Sequence, residues 1–156
     1  MLRDHKLVFS DSQQLSSAAV TNVTSTNVLD MGPLASGNTV RNLGASDLYL
    51  VGRIEATPTS TGSATLSVKL VGDNNTGMTS TALIVQAIST VAVASITAGY
   101  RFAVPLPRVN MERYLQVEYN VATAPFSAGG AVTCFLTDRP DDWTAYNQNA
   151  AETNSF

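Results

Sequence analysis

The sequence predicts an all-β domain, an antiparallel two-sheet β-sandwich of jelly-roll type with about eight strands. Three observations carry this. Charged residues make up only 13% of the 156 residues, about half the roughly 25% of an ordinary soluble domain. Hydrophobic residues hold a normal 44%, and the missing charge is replaced by 33 Ser and Thr beside 16 Val. Thr and Val are β-branched and suit a pleated, half-buried surface. Apolar residues also alternate with period two and almost never with helical period, and clusters of Gly, Asn, Asp, Pro, Ser and Thr interrupt them at short intervals. Many short antiparallel strands in one domain of this length fold most simply as two packed sheets.

The elements follow in order. Residues 1–9 form an amino-terminal arm in which Leu7, Val8 and Phe9 are able to pair as a strand. Residues 14–20 and 25–31 carry faint strand patterns, and residues 31–47 have so little pattern that they are expected to cross from one sheet to the other. In residues 48–56, Leu48, Leu50, Ile54 and Ala56 share one face while Tyr49, Val51, Arg53 and Glu55 take the other. A Thr/Ser/Pro-rich turn at 57–63 leads to residues 64–71, with Ala64, Leu66, Val68 and Leu70 inward and Thr65, Ser67 and Lys69 outward. Residues 72–77, rich in Gly, Asn and Asp, read as a loop.

Residues 83–88 give a fifth strand. Residues 101–106 give a sixth, with Phe102, Val104 and Leu106 on one face and with Pro105 demanding an edge or a strand end. Residues 114–121 alternate most cleanly: Leu115, Val117, Tyr119 and Val121 against Tyr114, Gln116, Glu118 and Asn120. After the Gly129-Gly130 turn, residues 131–137 close the set. Beyond Thr137 the pattern stops, and residues 138–156 lack the apolar surface to hold themselves on a core. The reading is one domain over residues 1–137, without internal repeats, followed by a polar tail at 138–156.

Several function classes fall away. The net charge is −3, the isoelectric point is near 4.9, and Lys6 and Lys69 are the two lysines, so a broad basic surface for nucleic acid is missing. No apolar run approaches the roughly 18–20 residues of a membrane span. The amino-terminal apolar stretch is limited to Leu7-Val8-Phe9, too short for a signal peptide, and a single cysteine, Cys134, excludes an intrachain disulfide. Synthesis and folding in a cytoplasm are expected.

Residues that could carry chemistry are few. The one histidine, His5, lies in the amino-terminal arm, and Cys134 sits between Thr133 and Phe135 as a small buried hydrophobe, so nucleophilic catalysis has no visible support. Glu55 and Glu118 could converge as an acid–base pair if their strands were neighbours, although outward carboxylates on strands are ordinarily solvated. Asp73-Asn74-Asn75 has a calcium-loop composition without the bidentate Glu or the ligand spacing. Asp138, Asp141 and Asp142 around Pro140 read as a solvated tail, and Gly129-Gly130 precedes a strand rather than a phosphate-binding helix. No cofactor or metal is expected. Tyr49, Tyr100, Tyr114 and Trp143 could supply a flat platform for a glycan, and the Asn-X-Thr sequons at Asn22 and Asn74 mean little without a secretory signal.

A resemblance lies in the order of the motifs. Leu7-Val8-Phe9-Ser10-Asp11-Ser12-Gln13 is followed by Thr26-Asn27-Val28-Leu29-Asp30-Met31-Gly32, then by Leu48-Tyr49-Leu50-Val51 and Ala64-Thr65-Leu66-Ser67-Val68. Further on stand Ala98-Gly99-Tyr100-Arg101-Phe102, Pro105-Leu106-Pro107, Glu112-Arg113-Tyr114-Leu115 and Gly129-Gly130-Ala131-Val132-Thr133. Over about residues 1–137 this progression resembles the capsid cement, or decoration, proteins of tailed bacteriophages, in particular the Bordetella-phage type. The resemblance implies a non-enzymatic jelly-roll protein on the outer surface of the virion capsid, bridging capsomers of the major capsid protein. It carries no catalytic or cofactor residues across.

Several residues are candidates for an interface on physical grounds. A protein of this kind would act as a homo-oligomer, dimer or trimer, with many copies each adding a modest contact. The Leu7, Val8, Phe9 arm could add a strand to a neighbouring sheet edge. The Trp143-containing tail is a second candidate. Arg101 beside Tyr100 and Arg113 beside Tyr114 form Arg–Tyr pairs of the kind enriched at interface centres, or else brace adjacent loops. The alternatives are a jelly-roll glycan-binding module on a phage fibre or capsid surface and a small hydrolase using Glu55 and Glu118.

Overall fold

Strand pairing defines the architecture. A computed structural model describes residues 5–15, 21–34, 41 and 47–140. Nine strands run in chain order: β1 (Val8–Gln14), β2 (Thr21–Thr24), β3 (Leu29–Asp30), β4 (Tyr49–Ile54), β5 (Thr65–Asp73), β6 (Ala82–Ala92), β7 (Arg101–Pro105), β8 (Tyr114–Ala122) and β9 (Ala131–Thr137). One sheet has the order β1-β9-β4-β7. The other has β2-β8-β5-β6, with β3 beside β8. All these pairings are antiparallel. They are nested: β1 with β9, β2 and β3 with β8, β4 with β7, and β5 with β6. A long hairpin rolled upon itself gives this nesting, and that is the jelly roll.

The alternation read from the sequence builds the core. Leu50, Ile54, Phe102, Val132, Cys134 and Leu136 from the four-stranded sheet meet Leu66, Val68, Leu70, Leu115, Val117, Tyr119 and Val121 from the five-stranded one in a single buried cluster. Each large apolar side chain so buried contributes about 1.5–3 kcal/mol. β5 and β8 keep their expected faces, and Pro105 ends β7 at the edge of its sheet, where its missing N–H costs no ladder bond. β3 belongs to one sheet and β4 to the other, while residues 35–40 and 42–46 of the crossing expected at 31–47 lie outside the described residues.

The front of the chain differs from its pattern. β1 starts at Val8 and ends at Gln14; of the faint strand expected at 14–20, residues 16–20 lie outside the described residues. The strand expected at 25–31 shrinks to Leu29–Asp30, while β2 occupies Thr21–Thr24. The cause lies in β1 itself, whose register against β9 slips between Val8 and Ser10 and again between Ser10 and Gln13. Such bulges break the period of two, so Ser10 turns inward to a fully buried position and the polar run that follows it does not read as a strand. Val8 and Phe9 therefore pair within their own sheet, and Phe9 is wholly buried in the core. A free arm at 1–9 offering these residues to a neighbour is corrected by that placement.

Three further differences have similar causes. Gly72 and Asp73, read as loop, continue β5. β6 runs for 11 residues rather than the six at 83–88, because it is a sheet edge with three register irregularities. Val51, assigned to a wet face, is fully buried in an outward cluster with Val8, Phe135 and the partly buried Tyr49. At the β8–β9 connection Gly129 and Gly130 adopt φ of 69° and 75°, and a Cβ at Gly129 would overlap the carbonyl oxygen of Thr57. Only glycine permits this close approach, which joins the connection to the 57–60 turn through a Thr59–Ala128 bridge.

Candidate functional site

Register sorts the interface candidates to opposite ends of the sandwich. The start of β7 lies beside the end of β4, where the Ile54 N–H donates to the Tyr100 carbonyl at 2.8 Å. The start of β8 lies beside β3 and the end of β5, with Tyr114 opposite Asp30 and Asp73. Tyr100 and Arg101 are therefore at one end, and Arg113 and Tyr114 at the other.

Arg113 acts as a brace. Its Nε and one terminal nitrogen donate to the two carboxylate oxygens of Asp30 at 2.8 and 2.9 Å, and its guanidinium carbon stands 4.9 Å from the Tyr114 ring centroid. Its backbone N–H donates to Asn74 Oδ1 at 3.2 Å. A planar fork matched to a carboxylate is the strong geometry for such a pair. The Arg113 hydrogen bonds, helped by the Gly32 N–H, hold the Asp30 carboxyl below the usual aspartate range, and Asp30 in turn raises Arg113.

Asp73 organises the neighbouring turn. Its carboxylate accepts the N–H of Ser80 at 2.7 Å and of Asn75 at 2.9 Å, and these backbone donors, Ser80 first, lower its pKa. Asp73 is thus spent on its own loop rather than held open for calcium. Among the described residues no group of three or more His, Cys, Asp or Glu side chains gathers in a way that could hold a metal ion.

The Tyr100–Arg101 pair is split by the pleat. Tyr100 is partly buried against the core. Arg101 points to the outer face of the four-stranded sheet, directly opposite Arg53 on β4. Two residues along the same face, Glu55 accepts hydrogen bonds from Ser12 Oγ at 2.6 Å and Thr133 Oγ1 at 2.7 Å. Arg53 is the neighbour that sequence reasoning missed; its outward direction was legible, but its register against Arg101 was not.

Glu55 and Glu118 do not converge. Glu55 lies on the outer face of the four-stranded sheet. Glu118 lies on the outer face of the five-stranded sheet, paired with Lys69 Nζ at 2.7 Å. The whole thickness of the sandwich, two sheets about 10 Å apart, separates them. The aromatic platform also disperses: Tyr49 packs on the outward Val51 cluster, Tyr114 flanks Arg113 on the other sheet, and Tyr100 lies at the far end. Trp143 lies outside the described residues, as do Asp141 and Asp142. His5 belongs to a 3-10 turn, His5–Leu7, and Leu7 is partly buried against the core.

The interior holds a polar chain that no motif announced. The hydroxyl of fully buried Tyr119 lies 2.8 Å from Ser10 Oγ, which donates to Gln13 Oε1 at 2.7 Å. With the serine proton so engaged, the Tyr119 hydroxyl is the donor to Ser10. Burial raises Tyr119 well above its ordinary pKa and pushes the neighbouring Cys134 thiol up to about 12. Cys134 is therefore free, buried and protonated, as an inert core residue is. A groove of about 580 Å³ between residues 57–65 and 92–97 is lined by hydroxyl and small apolar groups with no ionisable side chain.

A protein-family model described as Bbp16 matches residues 9–136, from the second residue of β1 to the last but one of β9. No curated protein matches the chain.

Proposed function

The chain belongs to the Bbp16 family, whose name is that of a Bordetella phage protein, and from this premise we propose that it is a capsid cement protein of a tailed-phage head. In this reading it binds the outer surface of the assembled capsid, bridges neighbouring capsomers of the major capsid protein and so resists the pressure of packaged DNA. It works as a homo-oligomer, without enzymatic activity, metal or cofactor. The observation that carries the reading is the span of the family match, which reaches from β1 to β9 and joins the motif order along residues 1–137.

Physical considerations support it. A decoration array places many identical subunits close together, and repeated like charges would repel. A skin built on Ser and Thr, with charged residues at 13%, suits that setting. Affinity then comes from repetition, each copy adding a modest contact. The separation of Glu55 and Glu118 on opposite faces favours a structural role over a hydrolase. The dispersal of Tyr49, Tyr100 and Tyr114 likewise leaves the glycan-binding alternative without a supporting observation. The test is to mix purified protein with expanded heads that lack it. Saturable binding in a fixed ratio to the major capsid protein, with raised thermal or osmotic resistance of the head, is expected; an absence of binding removes the reading.

A further inference from the structure

The two ends of the sandwich differ in charge. One end carries Asp30, Asp47, Asp73 and Glu112 together with Arg41, Arg108 and Arg113. There Arg113 is forked onto Asp30, Arg108 stands 3.7 Å from Asp47, and Arg41 donates to the Gly32 carbonyl at 3.0 Å. At the other end the β4–β5, β6–β7 and β8–β9 connections come together. The Gly130 N–H donates to the Ala56 carbonyl at 3.0 Å, the Ser127 N–H to the Thr59 carbonyl at 2.8 Å and the Val93 N–H to the Ala64 carbonyl at 2.9 Å. Residues 56–64, 93–100 and 123–130 of these connections contain no Asp, Glu, Lys, Arg or His. Glu55, just before the first of them, is held on the outer face of the four-stranded sheet by Ser12 and Thr133.

The charge-free end is also built in advance. Thr57 Oγ1 accepts the Ala98 N–H at 2.8 Å, Thr59 Oγ1 lies 3.0 Å from Ser127 Oγ, and Ser60 Oγ donates to the Pro125 carbonyl at 2.8 Å. These hydroxyls bond one connection to the next, so a partner covering them takes water from groups that already have protein partners. A buried polar group is costly when its hydrogen bond is lost, and a buried charge far more so. The groove of about 580 Å³ opens here, with Pro58, Ser63, Ala64, Ala92, Ala94 and Thr97 among the residues of its wall. Clefts that hold ligands measure about 300–1,000 Å³.

We propose that the sandwich stands on the capsid shell by its charge-free end, and that the groove takes an uncharged segment of the shell protein. The inference deepens the cement reading and rests on it. Charge complementarity selects the occupant. A charged side chain seated in the groove would lose its hydration and meet no counter-charge, whereas small apolar and hydroxyl side chains bury beside Ala64, Ala92 and Ala94 without that penalty. Depletion of charge marks the cores of protein interfaces. The opposite end then faces solvent, where water and salt screen its acids and arginines.

The experiment places charge at either end and measures binding to expanded heads lacking the protein, at several salt concentrations. In the groove the variants are Ser63→Glu/Ala94→Glu and Ser63→Lys/Ala94→Lys, at two exposed positions; at the opposite end they are Thr76→Glu and Thr76→Lys, also at an exposed position. Thermal unfolding of each variant reports folding. Wild-type binding is expected to change little with salt, and both groove pairs, whatever their sign, to bind about tenfold or more weakly. Both Thr76 variants bind as wild type does. If wild type binds and the folded groove pairs bind equally well, the charge-free end is not the footing, while the cement reading stands. If wild type does not bind at all, both fall. Groove pairs of opposite sign with opposite effects would mean a charged occupant and overturn the inference. Loss of binding in the Thr76 variants alone also overturns it, as does self-association of the free protein that the groove pairs abolish while they still bind heads normally.

Discussion

The ring of Phe102 lies across Gly52, its partner in the β4–β7 ladder, so closely that a methyl group at Gly52 would overlap the ring carbons. A strand glycine exposes backbone and weakens the sheet; here a cross-strand aromatic fills the vacancy and carries on into the core. Gly52→Ala is expected to cost about 1–3 kcal/mol through overpacking, because Phe102 must leave its position. Denaturant unfolding measures it, and an unchanged midpoint would show that the ring moves freely.

Removal of the amino-terminal residues distinguishes a fold role from a docking role. Phe9 is fully buried and β1 supplies one edge of its sheet. Phe9→Ala is expected to cost about 3–5 kcal/mol, read by chemical unfolding of the free protein. A stability equal to wild type would return Phe9 to the role of an exposed arm.

The Tyr119–Ser10–Gln13 chain predicts an asymmetry between two conservative changes. Ser10→Ala strands the buried Tyr119 hydroxyl without its acceptor, at about 1–3 kcal/mol, whereas Tyr119→Phe removes the donor and leaves Ser10 still bonded to Gln13, nearer 1 kcal/mol. Unfolding free energies of the two variants decide. Equal costs would mean that the chain does not act as drawn.

Acid should loosen the end that holds Asp30 and Asp73. Both carboxyls sit below the usual aspartate range, Asp30 through Arg113 and Asp73 through the Ser80 N–H. A depressed folded pKa contributes stability above the unfolded value, and that stability is lost as pH falls through the folded one. Asp30→Asn is therefore expected to lower the melting temperature at pH 7, with the difference from wild type shrinking as pH falls below about 4. A difference constant with pH would contradict the Arg113 brace.

Alkali tests the interior with the opposite sign. The Cys134 thiol is raised from 9.0 to about 12 by burial, so its neutral form favours the fold fully below about pH 9, and the contribution disappears as pH rises towards 12. The native protein should resist thiol reagents at pH 8 and react only on unfolding. Prompt labelling of the folded chain would refute the burial.

The sequence made the sandwich legible wherever apolar and polar residues alternated strictly along a strand. Leu66, Val68 and Leu70 on β5, and Leu115, Val117 and Tyr119 on β8, announced their sheet through simple alternation. It failed where the period was broken or the face was covered. The β1 bulges turned Ser10 inward, the β6 irregularities hid half of an edge strand, and Val51 looked solvent-facing because Val8 and Phe135 are brought beside it only by long-range pairing. The same limit applied to the site. Arg101 and Arg113 could be picked out by type, but that one is forked onto Asp30 and the other faces Arg53 depends on registers between residues 83 and 48 positions apart.

The cement reading is tested most directly by a density map of heads assembled with the protein and of heads lacking it. The prediction is an additional two-sheet sandwich on the outer surface, in contact with more than one capsomer and present in a fixed ratio to the major capsid protein. Identical maps, or added density confined to the capsid interior or the tail, would contradict it.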